Sequence, residues 1–187
     1  MKRSVYGLIA IFTIYLLCYE SLPLFAGGNK PASYCKDPET LMREVSLRGA
    51  KVVVSELFDD VRAWKSVLRN IERGQRSWLK VAVALRPGSD AGPSQMLDSA
   101  VGNALENAPK NVFSSTLKEF HLEFICGGPD VDDIRYDSYE LSMKAIRKRQ
   151  ARIRTIKDSL FQSEKNKCIS LLEEARGGIA EFYGVNK

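Results

Sequence analysis

From residue 37 onward, apolar positions recur at helical spacing in nearly every segment, and no run of strict alternation between turn signals competes. Asp37-Pro38-Glu39 has the chemistry of a helix start. Asp37 can accept from free backbone N–H groups, Pro38 suits the first helical position, and Glu39 favours the positive end of the dipole. This helix is expected to stop near Gly49, with a short apolar helix following over residues 50–58. Asp59 or Asp60 can cap the next helix, in which Val61, Trp64, Leu68 and Ile71 make one stripe before an exit at Gly74.

Residues 77–86 (SWLKVAVALR) are apolar almost all round, with Lys80 the only charge before Arg86. A helix of this kind is normally surrounded by other helices. The β-branched Val81 and Val83 would also suit a buried strand, but the helical neighbourhood decides for helix. Residues 87–93 (PGSDAGP) predict a turn. Beyond it one helix carries Leu97, Ala100, Val101, Ala104 and Leu105. Pro109 opens another, with Phe113, Leu117, Phe120 and Phe124 spaced 4, 3 and 4 and an end at Cys126-Gly127-Gly128-Pro129. An acidic loop with Asp130, Asp132 and Asp133 then leads into the longest helix, expected over residues 137–161 and capped from that loop. The last helix holds Cys168, Leu171, Leu172, Ala175 and Ile179.

The fold class is therefore all-α, a compact array of seven to eight helices. Short helices stack as hairpins in the N-terminal part, and a longer helical hairpin closes the C-terminal end. In architecture alone the stacked part resembles a helical-repeat array of the HEAT kind, although no repeat motif or fixed period accompanies it. The helix at 77–86 is expected near the centre.

Residues 1–26 read differently. Lys2 and Arg3 precede an uncharged, mostly apolar run at 5–19 (VYGLIAIFTIYLLCY), and Glu20 and Pro23 break it before Ala26. Positive head, apolar middle and small final residue make a secretory signal pattern, whereas a spanning helix needs roughly 20 apolar residues. The expected organisation is a signal peptide at 1–26, a flexible leader at 27–36 (GGNKPASYCK), and a single helical domain at 37–187. The expected destination is the periplasm or the exterior of a bacterium. An uncleaved membrane anchor is the second option. A lipoprotein with its lipid on Cys18 is the third, disfavoured by the bulky Leu17.

Composition then bears on chemistry. The chain has 187 residues, 44% hydrophobic and 27% charged, which suits a protein with a packed core and excludes collagen-like or wholly disordered readings. Of four cysteines, Cys18 falls in the signal. Cys126–Cys168 is the preferred disulfide, three unpaired thiols being the alternative, and Cys35 is left over in the leader. The single histidine, His121, leaves one candidate base for a Ser-His or Cys-His scheme and reads better as a partly buried structural residue beside Phe120 and Phe124. Two S-x-x-K strings, Ser77 to Lys80 and Ser115 to Lys118, lack the K-T-G element that accompanies this spacing in penicillin-recognising enzymes. Asp130, Asp132, Asp133 and Asp137 depart from a calcium loop at Ile134 and Arg135. No metal, cofactor or catalytic residue is assigned.

The most unusual segment is 144–157 (KAIRKRQARIRTIK), with seven basic residues and no acid. Met143, Ile146, Ile153, Ile156 and Leu160 share one side of a helical wheel with Tyr139. Lys144, Arg147, Lys148, Arg149 and Arg152 are expected as a basic binding face. The formal charge of +5 becomes +4 without Lys2, Arg3 and Glu20, so the rest of the domain, outside this +7 block, is acidic at −3. A solvated face is the plain alternative to a functional one. The partners considered are an acidic protein of the cell envelope and an anionic membrane surface; nucleic acid is not expected. The leading functional expectation is a non-catalytic exported binding module, of the inhibitor or immunity type, that neutralises an envelope partner. An envelope-associated structural protein with its basic helix on an anionic surface is the alternative. An enzyme built from scattered Asp, Glu, Arg and Tyr residues is the third.

Overall fold

The computed structural model describes residues 37–185. The expected signal peptide, the leader, Cys18 and Cys35 lie outside the described residues. The helices are α1 (Pro38–Arg48), α2 (Ala50–Asp59), α3 (Val61–Glu72), α4 (Arg76–Leu85), α5 (Ala91–Ala104), α6 (Pro109–Thr116), α7 (Leu122–Ile125), α8 (Tyr139–Arg154) and α9 (Gln162–Phe182). Short 3-10 turns fall at Arg86–Gly88, Ile134–Tyr136 and Ser159–Phe161, and no strand occurs among the described residues.

Several helix starts follow from their caps. Asp37 Oδ2 accepts from the Thr40 amide at 2.8 Å, with Pro38 in the first turn. Asp60, rather than Asp59, caps α3 by accepting from Arg62 and Ala63 amides at 3.0 and 3.1 Å. Gly74, at φ +71°, turns the chain from α3 into α4, a conformation that disfavours any residue with a Cβ.

Helices stack two positions apart: α3 on α5, α5 on α7, and α7 on α9 form one row, while α4 on α6 and α6 on α8 form another. The almost wholly apolar α4 touches α1, α2, α3, α5 and α6, and its Trp78, Leu79, Val81, Ala82 and Leu85 are buried. Its central position is the one its composition requires. Helices α8 and α9 pack antiparallel as the closing hairpin, with Gln150 Nε2 donating to Glu173 Oε1 at 2.7 Å.

Five expectations need correction. The helix expected to reach residue 161 ends at Arg154. Thr155 Oγ1 folds back on the Arg152 carbonyl at 2.7 Å, and Asp158 caps the next turn through the Leu160 amide at 3.2 Å. Leu160 is consequently 75% exposed instead of buried. The Pro109 helix breaks after Thr116, and a separate one-turn α7 leaves Phe124 60% exposed. His121 stands at the start of α7 and is exposed, so it is not the half-buried residue expected. Finally, Ser138 caps α8 through the Leu141 amide at 3.3 Å, and the acidic loop does not. Val61 also faces solvent, the α3 stripe being Trp64, Val67, Leu68 and Ile71.

Candidate functional site

One network of charged and polar side chains runs from the buried Arg149 of α8 to the half-exposed Arg135 and Lys148. Asn103, one of the buried residues of α5, donates through Nδ2 to Glu72 Oε1 at 2.9 Å. Its Oδ1 accepts from the Tyr136 hydroxyl at 3.2 Å and from Arg149 Nη2. Arg149 Nη1 donates to the Gly128 carbonyl at 2.8 Å, and its Nε lies 3.4 Å from Glu106 Oε1. Lys148 Nζ takes the other oxygen of Glu106 at 3.1 Å. Arg135 grips Glu72 with both ends of its fork, at 2.8 and 2.9 Å, and is also bonded to Asp133. The guanidinium carbons of Arg135 and Arg149 lie 5.5 and 5.9 Å from the Tyr136 ring centroid.

Electrostatics follow from these partners. Arg135 is held firmly protonated by its hydrogen bonds to Glu72 and Asp133, and the Asp133 carboxyl is held below the usual range chiefly by its hydrogen bond with Arg135. Burial pushes the Tyr136 phenol up, with Glu106 adding to the effect. Such an arrangement fixes α3, α5, the 129–138 loop and α8 to one another. The buried Arg149 and Asn103 spend their donors and acceptors internally, whereas Arg135 and Lys148 keep about half of their side chains exposed.

Arg149 therefore does not belong to the expected binding face: at 1% exposure it is the central cation of the interior network. The signal was present in the spacing. Position 149 lies three residues after Ile146 and four before Ile153, on the buried stripe itself. Asn103, Glu106, Glu72, Arg135 and Tyr136 were not anticipated as a group, because they come from separate elements.

The other expected members are on the outside. Lys144, Arg147, Lys148 and Arg152 are exposed along α8. Lys144 and Arg147 have no ion-pair partner among the described residues, whereas Lys148 pairs with Glu106 and Arg152 Nη2 donates to the Asn107 carbonyl at 2.8 Å. This ridge runs into an open groove of about 600 Å³ lined by residues that include Asn107, Lys110, Asn111, Arg152, Lys157 and Asp158.

A second buried pair sits elsewhere. Arg86 Nη1 is 3.2 Å from Asp98 Oδ1 but donates its hydrogen bond to the Ser94 carbonyl at 2.9 Å, leaving that carboxylate oxygen without one. Burial raises the Asp98 carboxyl above its usual range despite the nearby Arg86.

Cys126 and Cys168 are both buried and lie at disulfide distance, with Cα atoms 5.3 Å apart. The bridge ties the end of α7 to α9. Lys80 and Lys118 of the two S-x-x-K strings are exposed, and no His, Cys, Asp or Glu group able to hold a metal ion gathers among the described residues. Comparison of the chain with protein-family models, with curated proteins and with solved structures finds no match.

Proposed function

We propose that this protein is a non-catalytic binding module, exported by its N-terminal segment, that engages an acidic protein of the cell envelope through the outer face of α8. The reading includes the inhibitor or immunity role, in which docking itself neutralises the partner. One observation carries it. Lys144 and Arg147 stand exposed and without ion pairs among the described residues, beside Lys148 and Arg152, on a helix whose opposite side is fixed in the core. Outside residues 144–157 the expected domain carries a net negative charge, so this segment is the densest run of positive charge in the chain. Like-charged ridges of this kind steer and orient an oppositely charged partner.

The test immobilises the full chain and passes an envelope extract over it at low and high salt, alongside the variant Lys144→Glu/Arg147→Glu. An acidic protein retained by the parent, eluted by salt and lost with the variant supports the reading. Equal retention on both overturns it. Sedimentation with phosphatidylglycerol vesicles, and no protein partner, would establish the membrane-surface alternative instead.

A further inference from the structure

We infer that the groove beside α6 receives a carboxylate side chain of the acidic partner, so that an extended acidic segment runs along α8 and ends there. The inference rests on the binding-module reading and specifies where and how that partner is held.

The ridge and the groove share a residue. Arg152 lies on the exposed side of α8 with Lys144 and Lys148, and it also lines the groove. From position 144 to 154, where α8 ends, the helix rises about 15 Å, the span of roughly four to five residues of extended chain. A segment with acids at intervals can therefore meet Lys144, Lys148 and the groove in one pass.

The groove is prepared for an anion by its side chains. The Arg152 guanidinium is anchored by the Asn107 carbonyl at 2.8 Å, which positions the rest of its fork before any ligand arrives. Lys157 has no ion-pair partner among the described residues. Lys110 is paired with Asp158 at 3.2 Å, but both groups are solvent-accessible, so the pair is weak and exchangeable. Asp158 is the acid in the lining: its Oδ2 faces Lys110 and its Oδ1 accepts from the Leu160 amide at 3.2 Å, so its charge is shared between these two partners. Asn111 is held in the wall by bonds to the Gly74 carbonyl and Arg76 Nε, at 3.0 and 3.1 Å. A concave wall of this sort admits a projecting side chain. A flat bilayer would meet the ridge and pass over the groove.

The experiment titrates hexaglutamate into the isotopically labelled full chain and follows the backbone amides by NMR. Supporting results are shifts at residues 107–111 and 155–158, with affinity falling about fivefold or more in Lys157→Glu and by a smaller factor in Lys110→Gln. Lys157 is exposed and unpaired, so its reversal leaves the fold intact, and an unchanged amide spectrum elsewhere checks this. Shifts confined to residues 144–148 would overturn the groove and leave the ridge reading standing. No shift at the groove in any condition overturns the inference, while the capture experiment decides the ridge separately. Displacement of hexaglutamate by an equal concentration of inorganic phosphate would make the groove a general anion site and overturn the carboxylate assignment.

Discussion

Arg149 Nη1 meets the carbonyl oxygen of Gly128 at 2.8 Å, joining the middle of α8 to the loop just beyond the Cys126–Cys168 bridge. The same guanidinium bonds to Asn103 and approaches Glu106, so one buried cation locks three separate segments. Removing it strands a carbonyl and leaves the acid with only its partner on α8.

The first prediction concerns that cation. Arg149→Ala is expected to lower stability by about 3 kcal/mol, the size expected when one partner of a buried charged network is deleted. Arg147→Ala, two residues away but exposed, should change it by less than about 0.5 kcal/mol. Denaturant unfolding of both variants measures the contrast. Equal effects would contradict the interior placement of Arg149.

The disulfide gives the second. Closing an interval of 42 positions restricts the unfolded chain by about 4 kcal/mol in the chain-entropy treatment. A thiol reductant should lower the unfolding midpoint of the parent by a corresponding amount. Cys126→Ala/Cys168→Ala should start at the lower midpoint and show no response to reductant.

Acid titration should separate two carboxyl groups displaced in opposite directions from the usual value. Asp133 is held low, so the native state binds its proton less readily than the unfolded chain. Its contribution is complete above the ordinary carboxylate value, about pH 4, and is lost as pH falls through the lowered value. Asp98 is raised, so the native state holds the proton more tightly and stability falls as pH rises from about 4 through the raised value. Asp133→Asn is expected to flatten the loss of stability below about pH 4, whereas Asp98→Asn should remove a decline above it. Unfolding midpoints measured across the acid range of pH decide both.

A fourth prediction tests how closely two helices meet. A Cβ added at Gly102 in α5 would stand 2.7 Å from the Ile125 carbonyl oxygen of α7, and the obstacle is backbone. Gly102→Ala should cost about 1–3 kcal/mol despite alanine's better helix propensity. A neutral or stabilising result would contradict the α5–α7 packing.

Local chemistry made much of this fold legible. Asp37, Asp60 and the glycine exits act within a few residues, so their effect can be read from the chain. Uniform apolarity located residues 77–86 at the centre because no polar face was available for solvent. The helix breaks were harder. Phe124 and Leu160 continue an apolar period past points where Thr116 and Thr155 end their helices, and period alone cannot register an interruption. Arg149 was misplaced by its charge, although its spacing from Ile146 and Ile153 assigned it inward. The groove was invisible for another reason. Residues 107–111 and 152–158 meet only because α6 packs on α8, a contact that no local pattern encodes.

The central claim is that the α8 ridge steers an acidic protein partner. Its most direct measurement is the association rate of the captured complex against ionic strength. Raising salt from about 0.02 to 0.5 M should slow association of the parent about tenfold or more, because screening removes steering. Lys144→Glu/Arg147→Glu should associate slowly at low salt and lose most of that dependence. A rate independent of salt, and the same in parent and variant, would contradict the account.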